Sequence, residues 1–360
     1  MINVTKTYLP PFKQYVGYLE KIWAAHRVTN NGPLVVELEE KLKRYLGVKH
    51  LFFVSNGTIA LQLAIRALGL RKEIITTPFS YVASTSSIVW EGCRPKFVDI
   101  DARTLCIDEK KIERAITKDT QAILAVHVYG NPCEVATIES IASKHRLKVI
   151  YDAAHAFGVK YKGRSILNYG DISTISFHAT KVFHTVEGGA VITSDDELAH
   201  RLSYMRDFGH DGTERFFGLG VNGKNTELHA AMGLCVLPKV RTFLRRRKII
   251  SDTYSRLFKK SSLRMPERNP KGTSNYAYYP VIFPSEEVML RVREYLGKHE
   301  IVPRRYFYPS LNTLKYVKRE HLLISEDISQ RILCLPLYAD LKLSEVRTIA
   351  QLILEQINKA

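Results

Sequence analysis

The chain has 360 residues, 45% of them hydrophobic and 25% charged. That composition excludes a disordered chain and leaves room for a large α/β core with a smaller appended domain. A formal charge of +17 directs attention to an anionic partner. The densest basic run, Arg245-Arg246-Arg247-Lys248, lies in a helical pattern with no RNP, zinc-finger or helix-turn-helix signature beside it. It reads as a solvated helix face, so no nucleic acid is expected, and the positive field suits a small phosphorylated ligand.

The chain opens with MINVTKTYLPPFKQY, which has charges and prolines where a signal peptide needs an apolar core, and nowhere do about 18 apolar residues run together. A soluble, cytoplasmic protein with no membrane partner is expected. Helical spacing follows over 12–25 and 34–46, divided by the turn cluster Thr29-Asn30-Asn31-Gly32-Pro33. Next, HLFFVSNGTIALQLAIRALG reads as a strand, a small polar loop and an amphipathic helix. Backbone N–H groups at such a helix start point outward with the helix dipole behind them, so residues 55–58 form a candidate phosphate cradle.

Strands are expected over 73–77, 94–100, 122–128 and 148–151, alternating with helices over 81–90, 110–116 and 138–145. Apolar strands separated by helices imply a mostly parallel sheet covered on both faces, with ligands at the carboxyl ends of the strands. The stretch 171–195 then reads as a strand (172–177), a loop carrying Lys181, the pair Gly188-Gly189 and a second strand (190–193). Helices are expected over 196–206, 226–237 and 240–258, with a Gly-rich loop over 208–225 between the first two. The composition changes around 264–273, and the chain divides into 1–250, a large α/β domain with an N-terminal arm, and 251–360, a small α+β domain. The latter holds a helix over 286–299, a Tyr/Pro-rich loop over 304–309 and a terminal helix over 344–358. Five scattered cysteines, Cys93, Cys106, Cys133, Cys235 and Cys334, make no CxxC pair and no zinc spacing, so a reducing compartment without structural metal is expected.

Four groups gather at the strand ends. YDAAHAFG offers Asp152 and His155, SFHATK offers Ser176 and Lys181, SNGT offers the cradle, and FSY offers the aromatic Tyr81. A lysine, a buried carboxylate, an aromatic plate and a phosphate nest are the set that pyridoxal phosphate requires. The lysine bonds the aldehyde, and the carboxylate keeps the pyridine nitrogen protonated. An Asp facing a pyridinium stays ionised despite burial.

These motifs resemble the DegT/DnrJ/EryC1/StrS sugar aminotransferases, fold-type I pyridoxal phosphate enzymes acting on nucleotide-linked keto-sugars. The resemblance covers nearly the whole chain and rests on SNGTIAL, TTPFSYVAST, PKFVDID, VHVYGNPCE, VIYDAAHAFG, SFHATK with EGGAVITSD, and GVNGKNTELHAAMG. It implies that Lys181 is the Schiff-base lysine and the proton shuttle between cofactor and sugar carbon. By the same resemblance Asp152 partners the pyridinium, His155 lies near the ring's 3'-oxygen and Tyr81 lies against the cofactor. Gly57, Thr58 and Ser176 become phosphate ligands. Asn222 would reach the neighbouring subunit's site, so a homodimer is implied. Where the family commonly reads GYNYR, this chain has Gly220-Val221-Asn222-Gly223-Lys224. His178 and His184 are read as ordinary residues.

Within the family, the SFHATK…EGG form is most similar to enzymes that aminate a 4-keto-6-deoxy sugar on dTDP with glutamate as donor. A 3-keto sugar, a UDP or GDP sugar, and a non-catalytic cofactor-binding regulator are the alternatives. The dehydratase branch is disfavoured because it has histidine where this chain has Lys181. O-antigen of lipopolysaccharide is the expected destination of the amino sugar, with S-layer and antibiotic glycans left open.

Overall fold

The protein is described by a computed structural model covering residues 1–357. Strand β1 (Ile2–Asn3) opens the chain. It is followed by β2 (His50–Val54), β3 (Glu73–Thr76), β4 (Arg94–Phe97), β5 (Thr120–Val126) and β6 (Lys148–Asp152). A small hairpin of β7 (Lys160–Tyr161) and β8 (Arg164–Ser165) precedes β9 (Ile172–Ser176) and β10 (Gly189–Thr193). The C-terminal part contributes β11 (Tyr279–Ile282), β12 (Ile301–Val302) and β13 (Ile332–Leu335).

Seven strands form the central sheet in the order β2-β10-β9-β6-β5-β3-β4. All its pairs are parallel except those of β10, which runs antiparallel to both β2 and β9. Parallel neighbours need long crossovers, whereas β9 and β10 can be joined directly across 177–188 because they are antiparallel. That short connection carries Lys181. Strand β10 is buried throughout, and β5 nearly so, as a sheet covered on both faces demands.

Two buried clusters organise the packing. The larger surrounds the central sheet. The smaller collects Ile250, Tyr254 and Phe258 with residues of β11, β13 and the helices Glu286–Lys298 and Leu343–Ile357. Helix Val240–Leu257 spans the two, since its Val240 and Phe243 lie in the first cluster and its Ile250 and Tyr254 in the second. Strand β1 pairs with β12, which ties the first residues to the C-terminal part.

Several expected boundaries shift. Strand β4 ends at Phe97, and β5 ends at Val126 because the chain turns there: His127 is followed by a short 3-10 turn in which Tyr129 has φ of 56°. The helix expected over 81–90 starts at Val82, with Tyr81 as its N-cap residue. The expected end of the last helix, Asn358, lies outside the described residues. Helix Leu323–Arg331 and β13, which directly follows it, have no counterpart in the sequence reading. That helix has no side-chain cap from its own N-cap residue. Asp99, beyond the end of β4, accepts instead from the Ile324 N–H at 3.0 Å and the Ser325 N–H at 2.9 Å.

In the basic run Arg245 and Lys248 are exposed, as a solvated face requires, but Arg246 and Arg247 are not. Arg247 is 5% exposed and donates from Nη1 to the carbonyls of Tyr276 and Ala277, each at 3.1 Å. Arg246 donates to the Ala339 carbonyl at 3.3 Å. These two arginines hold the helix against the C-terminal segments, and their aliphatic stems suit a half-apolar setting.

Candidate active site

The carboxyl ends of β2, β5, β6 and β9 surround a cleft of about 390 Å³. Its lining includes Gly57, Thr58, Tyr81, Asp152, His155, Ser176 and Lys181, residues that stand far apart in sequence. Asn222 is not among them. It is exposed, and bridges to Asp207 in the loop following helix Asp196–Met205.

At one end of the cleft is the N-terminus of helix Gly57–Ala67. Asn56 caps it, its Oδ1 accepting from the Ile59 N–H at 2.9 Å. The N–H groups of Gly57 and Thr58 find no acceptor among the described residues, so the positive end of the helix dipole opens into the cleft. Close packing maintains this arrangement. A Cβ on Gly189 would stand 2.6 Å from the Asn56 carbonyl carbon, and one on Gly57 would stand 3.1 Å from Ser176 Cβ. Glycine at these positions lets β10 run against the cradle and brings Ser176 beside it. Ser55, expected in the cradle, is instead occupied with sheet-edge bonding, its N–H donating to the Gly223 carbonyl at 2.8 Å.

Asp152 lies at the end of β6 and is 6% exposed. Its Oδ2 accepts from the Ser84 hydroxyl at 2.7 Å and its Oδ1 from the Ala154 N–H at 3.0 Å. Ser84 in turn is 2.8 Å from the Ser80 hydroxyl. Each carboxylate oxygen can accept two bonds, so capacity remains for a donor in the cleft. Burial raises the Asp152 carboxyl above its ordinary value, while Ser84, Ala154 and the charge of Lys181 pull it down.

Lys181 is held by a tight turn, its N–H donating to the His178 carbonyl at 2.9 Å. Phe177 and Thr185 close that loop: the Phe177 N–H donates to Gly188 at 2.7 Å and the Thr185 N–H to Phe177 at 2.9 Å. Burial pushes the Lys181 amine down to about 8, with Asp152 pulling in the opposite direction. A larger share of neutral amine at working pH is what a nucleophilic lysine needs.

His155 Nδ1 accepts from the Tyr129 N–H at 3.3 Å, so its proton belongs on Nε2. Burial, then the Lys181 charge, depress this histidine well below its usual value, which keeps the ring neutral. It is stacked 5.7 Å from Phe307 with the planes 2° apart, and meets Tyr278 edge-on at 4.9 Å. Tyr81 stands at the mouth, 55% exposed, not packed in the core. His178 also lines the cleft, whereas His184 is 2% exposed and contacts the Tyr8 carbonyl at 2.8 Å. His127, another strand-end residue, is stacked on Tyr151 at 4.7 Å, away from the cleft.

The sequence reading missed Ser84, Tyr278, Arg304 and Phe307, all in the lining or bonded to it. Ser84 lies within the TTPFSYVAST motif, three residues after Tyr81 in helix Val82–Trp90. The other three come from the C-terminal part and carry no local signal.

A lysine with a lowered pKa, a buried carboxylate with spare acceptor capacity and an open helix N-terminus form one cleft. The description of the DegT/DnrJ/EryC1/StrS aminotransferase family matches residues 13–354. The chain belongs to that family. This aminotransferase is 42% identical over 352 residues to the dTDP-4-amino-4,6-dideoxy-D-glucose transaminase of Shigella dysenteriae, with 94% of this chain and 95% of that protein covered. It is 40% identical over 365 residues to the Escherichia coli protein of the same name, covering 98% of each. A solved structure of DesI in the presence of its TDP-sugar product matches with a TM-score of 0.93 and 30% identity, over 99% of this chain and 93% of that one.

Proposed function

We propose that this aminotransferase uses pyridoxal phosphate to move an amino group from glutamate to a keto-deoxy sugar carried on dTDP, with dTDP-4-keto-6-deoxyglucose as acceptor. The observation that carries the reading is the meeting of Lys181 and Asp152 in a cleft that also holds the N-terminus of helix Gly57–Ala67, where the Gly57 and Thr58 N–H groups stay open. The residues fit the cofactor: the cradle excludes a Cβ at position 189, and its open N–H groups suit a phosphate. The dTDP sugar is supported by the names of the two transaminases above.

When bound, pyridoxal phosphate supplies a carbon that exchanges between amines and a ring that takes up the electrons released there. The Gly57 and Thr58 N–H groups and the Ser176 hydroxyl would hold its phosphate. Asp152, braced by Ser84 and Ala154, would hold a proton on the ring nitrogen through opposite charge. His155 would offer its Nε2–H to the ring's oxygen, and Tyr81 would lie against the cofactor. Lys181 Nζ would be the group that bonds its aldehyde, and as a neutral amine Lys181 would take a proton from the donor's carbon and return one to the sugar carbon.

Two copies complete two sites, with Asn222 of each reaching the other's cleft. Its exposure on its own chain supports this, as do Phe216, Phe217 and Leu219 in the same loop, which are 69%, 61% and 82% exposed.

Absorbance tests the reading. Purified protein supplied with pyridoxal phosphate should turn yellow, lose that colour with glutamate and regain it on addition of dTDP-4-keto-6-deoxyglucose. A protein that takes up no cofactor overturns the proposal. Recovery with a UDP or GDP sugar alone overturns the choice of nucleotide.

A further inference from the structure

Both substrates of a two-step amino transfer must bring their reacting carbon to the same place, and in the reading above both are anionic. Glutamate carries two carboxylates, and the sugar nucleotide carries a diphosphate. The cleft lining contains one lysine, Lys181, and one arginine, Arg304. Lys181 is committed to the chemistry. Arg304 is the cation left for recognition.

Its setting suits that task. The Arg304 N–H donates to the Cys334 carbonyl at 3.1 Å, and the Cys334 N–H donates to the Arg304 carbonyl at 2.8 Å. The backbone is thus pinned to β13. The guanidinium lies 4.8 Å from the centroid of the Tyr306 ring, a cation–π contact that helps to orient the planar group. Among the described residues no carboxylate pairs with it. Neighbouring Arg305, by contrast, is tied to Glu286 at 2.8 Å.

Arg304 also stands at a junction. Besides the cleft, it lines an adjoining groove of about 720 Å³ together with Arg293, Arg305 and Tyr308. An anionic group held there would have its reactive end directed into the cleft and any bulky remainder accommodated outside. The planar fork of a guanidinium meets carboxylate and phosphate oxygens equally well.

We propose that Arg304 is the anion anchor shared by the two half-reactions, binding a carboxylate of the amino donor in one and the diphosphate of the sugar nucleotide in the other, with the adjoining groove receiving the nucleotide. This rests on the transamination reading.

The test uses the cofactor-loaded enzyme and follows each half-reaction separately by absorbance, in the native protein and in Arg304→Gln and Arg304→Lys. A lost hydrogen-bonded charge contact predicts about 10- to 100-fold weaker apparent binding of both glutamate and dTDP-4-keto-6-deoxyglucose in Arg304→Gln. Arg304→Lys should lie between that variant and the native enzyme. A primary amine without carboxylates should react equally with native and Gln enzymes, which a merely structural role would not permit. Inorganic pyrophosphate should inhibit both half-reactions of the native enzyme, and less so those of the variant. Weakening of one half-reaction alone, equal loss with the neutral amine, or failure of pyrophosphate to compete in both native half-reactions overturns the proposal. Native protein that takes up no cofactor overturns the transamination reading instead, and calorimetry of pyrophosphate on that protein and Arg304→Gln then tests the anchor by itself.

Discussion

Lys181 and Asp152 each favour the other's charged form while burial opposes both, and that balance decides the chemistry of the site. Asp152 favours the charged lysine and burial favours the neutral one; burial prevails, bringing the amine from 10.5 to about 8. That shift raises the neutral fraction near neutral pH about 300-fold. Because the neutral amine attacks an aldehyde, uptake of pyridoxal phosphate by the cofactor-free protein should accelerate as pH rises, with a midpoint near 8. Stopped-flow absorbance measures it, and a midpoint near 10.5 would show that the lysine is solvated. Ser84→Ala should leave the fold intact but remove a donor from a buried carboxylate. Titration with cofactor should then show affinity weaker by about 1.5–3 kcal/mol, or about 10- to 100-fold. Lys181 and Asp152 were legible in the sequence because each follows an apolar strand run, where ligands collect. Ser84 was not, because a serine inside a helix gives no sign that its hydroxyl faces a carboxylate 68 positions away.

At the scale of elements, two helices take their N-terminal caps from distant acids. Asp99 caps helix Leu323–Arg331. The side chain of Glu227, 1% exposed, caps helix Pro33–Leu46 by accepting from the Leu34 N–H at 2.9 Å and the Val35 N–H at 2.8 Å. Helix Pro33–Leu46 was still readable, since five of its residues, Leu34, Val35, Leu38, Leu42 and Leu46, form a buried stripe at helical spacing. Helix Leu323–Arg331 was not, because its sequence LISEDISQR has neither a regular stripe nor a local cap, and its start is fixed by a contact from β4's end. Glu227→Ala should strip two buried N–H groups of their acceptor and lower stability by about 2 kcal/mol. Denaturant unfolding checks this, and an unchanged midpoint would mean that water replaces the cap.

Across the whole molecule, the alternation of apolar strands with helices made the mostly parallel sheet legible, and the short β9–β10 connection made the position of Lys181 legible. Contacts closing the cleft from the C-terminal part, Tyr278, Arg304 and Phe307, were not, since they depend on how distant segments dock. The proposed sharing of sites between copies has its own test. Lys181→Ala and Asn222→Ala each remove one component of a complete site, but a mixed dimer retains one site with both intact. Co-expression of the two variants should restore activity above either alone, and no recovery would mean that Asn222 serves no neighbouring site.

The central claim is that Lys181 holds the cofactor. Borohydride reduction of the cofactor-loaded protein, followed by peptide mass spectrometry, should find the pyridoxyl group on Lys181. Its appearance on another lysine, or on none, would contradict the account.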